Sequence, residues 1–503
     1  METTKKRSPW INWTIFLITV VVVFVLGMLA STISERRVET EYIYTPRVQL
    51  TQWEPRNQVW GENFPAEYNS WLQTRDTSFR SKYNGNAWID MLSVDPRMVV
   101  LWAGYGFSKD YSQARGHSYA ITDMRNTLRV GAPGIDDPEL MPATCWTCKS
   151  PDVPRLMNEV GITEFYSGKW SRWGAEIVNS IGCADCHDSK TMDLRISRPA
   201  LIEAFERQGR DITQATHQEM RSLVCAQCHV EYYFNTNLPG KEGVSYLTFP
   251  WDKGMQVEDM IAYYDEIGFS DWTHKISKTP MLKAQHPGYE TWITGTHAKR
   301  GVTCADCHMP FMSKGGQKYT DHHIQSPLNN IANSCQVCHR ENAEDLVGFV
   351  YDKMDKVISQ RDELEKMLVR AHVEAGHAWE FGATQQQMDP IQKLIRHGQF
   401  RWDIAAASHG AAFHNSIEIL RIISAGMQEA QEARVQLAAL LTTIGAPYPV
   451  PYPDIATKAK AQQYIGLPME KLEADKKIFL EQTIPQWDKA ASQREEAWEV
   501  VYY

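Results

Sequence analysis

Five pairs of cysteines, each pair separated by two residues, constrain this chain of 503 residues more than any other feature of its sequence. Four pairs are followed directly by a histidine and the first by a lysine: Cys145-Trp-Thr-Cys148-Lys149, Cys183-Ala-Asp-Cys186-His187, Cys225-Ala-Gln-Cys228-His229, Cys304-Ala-Asp-Cys307-His308 and Cys335-Gln-Val-Cys338-His339. In a C-x-x-C-H motif the two thiols add to the vinyl groups of a haem, and the adjacent histidine binds the iron. The four such motifs therefore predict four covalently attached c-type haems.

The five pairs use all ten cysteines of the chain, so none is left for a structural disulfide. A zinc ribbon would explain paired C-x-x-C clusters, but not a histidine after each second cysteine. A disulfide scaffold is typical of short secreted chains. A thioredoxin-like redox pair would occur once, within a βαβ pattern that the sequence does not show. The pattern therefore indicates a multihaem c-type cytochrome.

Lys149 occupies the position of the iron-binding histidine in the first motif. Alone, C-x-x-C-K could also be a decayed haem site or a plain thiol pair, but the four motifs that follow favour a fifth covalent haem. An ammonium group has no lone pair, so Lys149 must be neutral to bind iron. A haem with one unusual ligand and an open opposite face can bind a substrate. We therefore expect one catalytic haem that is supplied by four electron-carrying haems.

The N-terminus carries Lys5, Lys6 and Arg7, followed by an almost entirely apolar stretch over residues 11–30. About 20 apolar residues are enough to cross a bilayer, whereas the apolar core of a signal peptide has roughly 7–15. We expect residues 1–30 to form an uncleaved membrane anchor whose basic end stays in the cytoplasm, which places the haem-binding part outside the cytoplasmic membrane. The alternative is a long signal peptide that is cleaved near Ser31.

The remaining chain falls into two parts with different patterns. Residues 31–340 contain many glycines, prolines and aromatic residues but few periodic runs, as expected of a body whose core is supplied by haems. Residues 341–503 carry apolar residues at three- and four-residue steps, which is typical of long amphipathic helices. The predicted fold is therefore mainly α, with a multihaem body that has little sheet, followed by long C-terminal antiparallel helices.

Glycine and proline residues suggest where these helices end. Gly376 and Gly382 are expected to close the first long helix, and Asp389-Pro390 to open a second that continues to just before Gly445. A last helix is expected over Met469 to Glu499. Such helices pack either on the haem body or on a second subunit, and we interpret residues 341–503 as doing both, with a homodimer interface among them.

The formal net charge of −9 and the lack of a basic stripe argue against nucleic-acid binding. An anionic substrate would need local positive charge to offset this global field. Arg129, the iron at Lys149 and Lys283 are the candidates for that charge.

The chain has 16 histidines, of which four belong to the motifs and twelve remain as candidate ligands for the opposite faces of the haems. A lone histidine is more often a surface or core residue than a ligand, so spacing alone does not choose among the twelve.

Beyond these motifs, the chain resembles the pentahaem cytochrome c nitrite reductase family, which forms ammonium from nitrite. The resemblance rests on Cys145 to Lys149 followed by Ser150-Pro-Asp-Val153, the four later motifs, and matching stretches along most of the chain. These stretches are Arg115-Gly-His117, Arg125-Asn-Thr-Leu-Arg129-Val-Gly-Ala-Pro133, Glu231-Tyr-Tyr-Phe234, Lys283-Ala-Gln-His286, Thr320-Asp-His322, Arg401-Trp-Asp403 and Ser408-His-Gly through His414. The N-terminal anchor departs from the soluble members of the family.

The resemblance implies that Arg129, Tyr232 and His286 surround the open face of the Lys149 haem, with nitrite bound through nitrogen and its oxygens facing the arginine and the histidine. The residue types suit these roles, because Arg129 is permanently cationic and His286 can donate protons. Taken singly, Arg129 could be a surface ion pair, Tyr232 a packing residue and His286 another haem ligand. The set of motifs around them favours the catalytic site.

The resemblance also assigns a distal histidine to each of the other haems: His117 to the Cys225 haem, His297 to the Cys335 haem, His322 to the Cys183 haem and His414 to the Cys304 haem. His323 and His409 are close competitors for two of these positions.

Glu231, Tyr232, Lys283 and Gln285 resemble the calcium site of the family. Its ligands would be the carboxylate of Glu231, the amide oxygen of Gln285 and the main-chain carbonyls of Tyr232 and Lys283. Family members with arginine in place of the glutamine dispense with the metal, so Gln285 indicates one Ca²⁺ here.

The resemblance therefore implies dissimilatory, six-electron reduction of nitrite to ammonium, with hydroxylamine and sulfite as further candidate substrates. It implies a periplasmic or other extracytoplasmic enzyme, held at the bacterial cytoplasmic membrane by its N-terminal helix. The expected electron donor is a membrane quinol dehydrogenase or a small cytochrome. The alternative is a non-catalytic electron conduit in which Lys149 only tunes a haem potential.

Overall fold

The computed structural model describes residues 9–40, 46–133 and 140–503. Its first element is the helix Pro9–Thr40, and residues 9–34 of this helix are long and apolar enough to cross a membrane and are not buried against the rest of the chain. The helix is therefore compatible with the expected membrane anchor or with a signal segment. Lys5, Lys6 and Arg7, on which the expected orientation depends, lie outside the described residues.

The haem-motif region is built from short helices joined by turns, and its helix bounds are Asn57–Asn63, Pro65–Leu72, Met91–Val94, Arg97–Leu101, Ala120–Asn126, Asp152–Val160, Ile162–Tyr166, Cys183–Cys186, Pro199–Arg207, His217–Ala226, Val257–Glu266, Gly288–Ile293, Thr296–Lys299, Cys304–His308 and Ile331–Ser334. Single 3₁₀ turns cover Gln73–Arg75, Gly106–Ser108, His117–Tyr119, Leu128–Val130, Ala143–Trp146, Trp170–Trp173, Ile212–Gln214 and Pro327–Asn329.

Sheet is limited to three antiparallel strand pairs in the described residues: Tyr233–Asn235 with Tyr246–Thr248, Trp272–Thr273 with Pro280–Met281, and Phe311–Lys314 with Gln317–Thr320. The expectation of a mainly α fold with little sheet is confirmed.

Three long helices follow the last haem motif, and we call them the first, second and third long helix: Ala343–Glu380, Gln385–Ala407 and Ser416–Thr443. A short connection reverses the chain between the first and the second, so these two are antiparallel. All three pack on one another. The second and third approach most closely at Gly398 and Gly426, where the carbonyl of each glycine lies within 3.3 Å of the position that a Cβ on the other would take.

Three expectations about these helices were wrong. Gly376 does not end the first long helix; it lies within it, where a Cβ would come within 2.5 Å of the Ile276 side chain, so the glycine serves close packing. The second helix begins after Thr384, whose hydroxyl and Gln387 cap each other, and Pro390 lies inside it. The expected single helix up to Gly445 is divided in two by residues 408–415, which include the short helix Ala411–His414.

The C-terminal part contains the helices Lys458–Tyr464, Met469–Ile478 and Ile484–Glu496, with a π-helical turn over Phe479–Thr483. The expected last helix from Met469 to Glu499 therefore begins where predicted and ends at Glu496. The chain then returns to the first residues of the body, since Gln49 N donates to the Val501 carbonyl and Tyr503 N to the Arg47 carbonyl.

Buried apolar residues form two clusters. One joins Leu92, Trp102 and Met281 of the haem-motif region to residues of all three long helices, and the other surrounds Trp146 and Trp170 beside the first motif. The long helices therefore share a core with the preceding region. The proposed boundaries at residues 1–30, 31–340 and 341–503 stay a prediction.

Candidate functional site

Each of the four motif histidines faces a second histidine from a distant part of the chain. The distance between ring centres is 6.5 Å for His117 and His229, 6.2 Å for His187 and His322, 6.2 Å for His297 and His339, and 6.4 Å for His308 and His414. Two imidazoles that each bind one metal ion at about 2 Å have ring centres roughly 6–6.5 Å apart. The spacing therefore fits an iron between the rings of each pair, and the pairs are those that the resemblance implies.

Hydrogen bonds orient several of these rings. The Nδ1 atoms of His187, His308 and His322 lie 2.7–2.8 Å from the main-chain carbonyls of Met192, Gln325 and Thr320, respectively. Donation from Nδ1 to a carbonyl leaves Nε2 free to bind a metal, which is the usual arrangement around ligating histidines. Burial also lowers the pKa of His117 and His414 to about 3 and that of His187 and His229 to about 4. These rings are therefore neutral, as metal binding requires.

Several other histidines are engaged elsewhere. His274 and His372 stack on each other with ring centres 3.7 Å apart in the core, and both ring nitrogens of each have protein partners. His397 Nε2 lies 2.8 Å from Asp265. Of the two competitors, His323 directly follows the histidine that faces His187. His409 lies between the second long helix and the short helix Ala411–His414.

The haem motifs touch one another. The sulfur atoms of Cys148 and Cys228 are neighbours, and so are those of Cys225 and Cys304. The motifs that begin at 145, 225 and 304 therefore form a continuous row. Arg198, which is 1% exposed, connects the first motif to the second by donating to the carbonyls of Thr147 and Ser150 and pairing with Asp185. Such packing would place neighbouring haems close enough for electrons to pass between them.

The Lys149 motif borders a different set of side chains. The rings of Tyr232 and His286 lie side by side, with centres 6.4 Å apart. The pKa of His286 lies well below its usual value because the ring is buried and because Lys149 is near. Arg129 and Lys149 both lie close enough to Cys145 for their charges to act on it. Arg129, Tyr232 and His286 are thus brought together at the first motif.

Arg129 is held in a defined position. Its guanidinium carbon lies 4.2 Å above the centre of the Phe107 ring, and Phe107 stacks in parallel on Tyr105 at 5.4 Å. A Cβ at Gly106 would come within 3.0 Å of the Arg129 side chain, which is tighter than most Cβ contacts, so a glycine here favours this close approach. The arrangement can bind a small anion between a cation and neutral hydrogen-bond donors.

The residues expected to bind calcium are adjacent. Glu231 is fully buried, with one carboxylate oxygen accepting from Gln285 N at 2.6 Å and the other from the Tyr264 hydroxyl at 3.0 Å. The Gln285 side-chain amide lies 3.4 Å from the Lys283 carbonyl. The Lys283 side chain points instead to Asp403, 2.7 Å away. Its charge is therefore paired, and the expectation that Lys283 supplies positive charge for an anionic substrate was wrong.

A second group of acidic residues was not anticipated from the sequence. Carboxylate oxygens of Asp95, Asp362 and Glu365 lie within 4.8 Å of one another. Arg97 sits among them, with contacts of 4.0 Å or less to all three. The guanidinium group therefore already supplies the positive charge that this cluster needs.

Sequence reasoning also missed Phe107 and Asp403, which hold Arg129 and Lys283. The only signal was for Asp403, which closes the matching stretch Arg401-Trp-Asp403 but had been given no role. No pattern singled out Phe107, because a lone aromatic residue in an aromatic-rich region carries no distinctive spacing.

Comparison with known proteins identifies the family of this chain. The sequence matches the model of the cytochrome c552 family over residues 56–496. The chain belongs to the cytochrome c552 family. Proteins named cytochrome c-552 from Parabacteroides distasonis and Porphyromonas gingivalis are 57% and 54% identical to it over 490 and 489 residues. Each alignment covers 97% of this chain, and they cover 98% and 97% of the relatives.

A solved structure is also similar to this cytochrome c552 family member. It is the catalytic subunit, NrfA, of cytochrome c nitrite reductase from Desulfovibrio desulfuricans, a protein with two calcium sites. The match has a TM-score of 0.73 at 30% identity and covers 84% of this chain and 91% of that one. The expected resemblance to cytochrome c nitrite reductases is confirmed, and so is covalently bound haem c as the cofactor of this chain.

Proposed function

We propose that this protein is an ammonia-forming cytochrome c nitrite reductase. The observation that carries the proposal is a contrast between the haem motifs. Each C-x-x-C-H histidine faces a second histidine, whereas the Lys149 motif borders Arg129, Tyr232 and His286. An electron conduit would need none of these three polar groups at one haem. The similarity to the nitrite reductase of Desulfovibrio desulfuricans supports the same conclusion.

The reaction takes up six electrons and eight protons as nitrite becomes ammonium and two waters. When bound at Lys149, the haem supplies the iron that holds the nitrite nitrogen and delivers the electrons. Arg129 remains cationic at every working pH, so its N–H groups bind a nitrite oxygen and compensate its charge. Its contact with Phe107 fixes the direction of those donors.

His286 and Tyr232 act on the same substrate from the other side. His286 is neutral in this environment, so its ring N–H can donate a hydrogen bond to a nitrite oxygen, and a proton taken up from water on the other ring nitrogen would let the ring act as an acid as an N–O bond breaks. Burial keeps the pKa of Tyr232 well above its usual value, so its hydroxyl stays protonated and can also donate. These two groups supply the proton transfers nearest to the substrate, and water must reprotonate them.

We also propose that Glu231, Tyr232, Lys283 and Gln285 bind one Ca²⁺. The fit rests on Glu231, whose fully buried carboxylate has only uncharged donors among its hydrogen-bond partners in the described residues. Burial raises the pKa of this carboxyl group well above its usual value, so it is stable as a charged carboxylate only beside a compensating cation. Carboxylate, amide and carbonyl oxygens are the ligands that calcium prefers. The ion would stabilise the main chain on both sides of the site, next to Tyr232 and His286.

The four C-x-x-C-H motifs would hold the haems that pass electrons to this site, and the closeness of the motifs that begin at 225 and 304 to the first motif supports a route along that row. We propose a membrane quinol dehydrogenase or a small cytochrome as the donor, an extracytoplasmic location with the helix Pro9–Thr40 as membrane anchor, and a homodimer formed through the long helices. Hydroxylamine and sulfite fit the same anion-binding set and are further candidate substrates.

The test is the yield of ammonium from nitrite with a chemical reductant. We expect near-stoichiometric ammonium from the wild type and its loss in Lys149→Ala and His286→Ala, while absorption spectra show the four bis-histidine haems intact. His217→Ala changes an exposed histidine on the helix His217–Ala226 and should retain activity. A fully haem-loaded wild type without turnover, and with every haem low-spin, would show that the protein is a conduit.

A further inference from the structure

The segment Lys283–His286, which carries His286 and two of the proposed calcium ligands, is held by carboxylates instead of by regular secondary structure. It follows the short strand Pro280–Met281 and precedes the helix Gly288–Ile293. Three consecutive main-chain N–H groups donate to three different acidic side chains: Lys283 to Asp271 at 2.8 Å, Ala284 to Asp403 at 3.3 Å and Gln285 to Glu231 at 2.6 Å. These carboxylates come from three distant parts of the chain.

Asp403 contacts this segment at two points, a side chain and a main-chain N–H group. It lies on the second long helix and is fully buried, as is Lys283 at 1% exposure. One Asp403 oxygen accepts from the Lys283 ammonium at 2.7 Å and the other from Ala284 N. The ammonium also donates to the Ala284 carbonyl and lies about 5 Å from the ring centres of Trp102 and Phe107. Lys283 is thus bound at both its side chain and the following peptide.

The geometry of a trans peptide gives this attachment a direction. The carbonyl of Lys283 and the N–H of Ala284 belong to one planar unit and point in opposite directions. When Ala284 N–H is fixed on Asp403, the Lys283 carbonyl must therefore point away from the second long helix. On that side it lies 3.4 Å from the Gln285 side-chain amide, and Gln285 N contacts Glu231.

We propose that Asp403 is a positioning residue that sets the direction of the Lys283 carbonyl and thereby builds the calcium site and places His286. The effect on calcium binding and on the position of His286 rests on the proposed function, whereas the orientation of the Lys283–Ala284 peptide does not. The buried ion pair fixes the segment to the rigid bundle of long helices. The Asp403 carboxyl group acts through the main chain and touches neither substrate nor haem.

Two double variants separate the orienting role from mere charge balance. Asp403→Asn with Lys283→Met removes both charges but keeps a side-chain oxygen that can accept from Ala284 N–H. Asp403→Leu with Lys283→Met removes both charges and the acceptor. Because a buried ion pair can often be replaced by uncharged groups without loss of stability, both proteins should fold. Glu374→Gln, which alters the partly buried ion pair between Glu374 and Arg434 of the long helices, serves as the control for general destabilisation.

Two measurements on the haem-loaded protein test the inference. Calcium affinity, from chelator competition, should fall at least 10-fold in the Leu/Met variant, whereas the Asn/Met variant and Glu374→Gln should stay within about three-fold of the wild type. Hydrogen exchange of the peptide spanning 283–286 should be faster in the Leu/Met variant than in the Asn/Met variant. Equal exchange in the two double variants would overturn the role of Asp403. A wild type that binds no calcium, but still shows the difference in exchange, would instead overturn the calcium part of the proposed function.

Discussion

Replacing Phe107 by leucine should weaken nitrite binding without touching any group that contacts nitrite. The Arg129 guanidinium carbon lies 4.2 Å from the centre of the Phe107 ring, within the range of a strong cation–π contact. Phe107 is itself held by stacking on Tyr105 and by contact with Trp102 at 5.4 Å each. Leucine keeps an apolar side chain there but offers no ring face, so Arg129 gains freedom to leave its position.

The size of the expected change in the KM for nitrite follows from how far the contact between Arg129 and Phe107 is buried. Arg129 and Phe107 are both half-buried, so their cation–π pair should contribute about 1–2 kcal/mol, between the values for exposed and for fully desolvated pairs. This energy stabilises Arg129 in the position that binds nitrite. Its loss should raise the KM for nitrite about 5–30-fold, because each 1.4 kcal/mol is a factor of ten. The kcat should change much less, since His286 and the haem motifs are untouched.

Steady-state nitrite reduction with a chemical reductant measures both constants. Phe107→Tyr retains a ring face and should keep the KM within about two-fold of the wild type. Tyr111→Leu loosens the same aromatic cluster, where Tyr111 lies 5.6 Å from Phe107, without removing the ring beneath Arg129. The reasoning is refuted if Phe107→Leu leaves the KM unchanged, or if Tyr111→Leu raises it as much as Phe107→Leu does.

Three further predictions concern the ligands, the metal and the core. His414→Ala should convert one haem from low-spin to high-spin in absorption and EPR spectra, because His414 faces His308, whereas His409→Ala should leave all the bis-histidine haems low-spin; the opposite result would exchange their roles. Removing calcium with a chelator should lower kcat and leave the bis-histidine spectra unchanged, with recovery on adding Ca²⁺ but not Mg²⁺. Burial holds the pKa of His372 at about 4, against about 6.5 when unfolded, so the unfolded state binds more protons between these values and about 2 kcal/mol of stability is lost from pH 7 to pH 5. The thermal midpoint of His372→Gln should therefore fall less over this range than that of the wild type, and equal falls would contradict the assignment.

The sequence was most informative where chemistry is local. A C-x-x-C-H motif contains two thiols and a ligand within five residues, so the haem sites could be predicted without knowledge of the fold. The helix patterns were also sufficient for the long helices, because a buried stripe imposes a regular spacing. Their ends were less predictable. Gly376 serves contact with Ile276, and the break around His414 serves a ligand, and neither reason is visible in local sequence.

What the sequence did not reveal is how the polar side chains around the site pair with one another. Lys283 was expected to offer positive charge to an anion. The sequence around Lys283 does not reveal that its side chain already has an acidic partner. Asp403 lies 120 positions further along the chain and reaches Lys283 only when the second long helix packs on the body. Pairings of this kind depend on the tertiary fold, so they require the structure.

The same packing explains why a catalytic body built around haems also has long helices. Haems fill the interior between the short helices of the motif region, but they do not determine the direction of an individual peptide group. Buried side chains from a rigid element can do this, and Asp403 does so for the segment that precedes His286. Because the second long helix is fixed by close packing at Gly398 and Gly426, a shift in that bundle would move His286 relative to Arg129. The long helices are therefore coupled to the geometry of the substrate site, in addition to any part they have in forming a dimer.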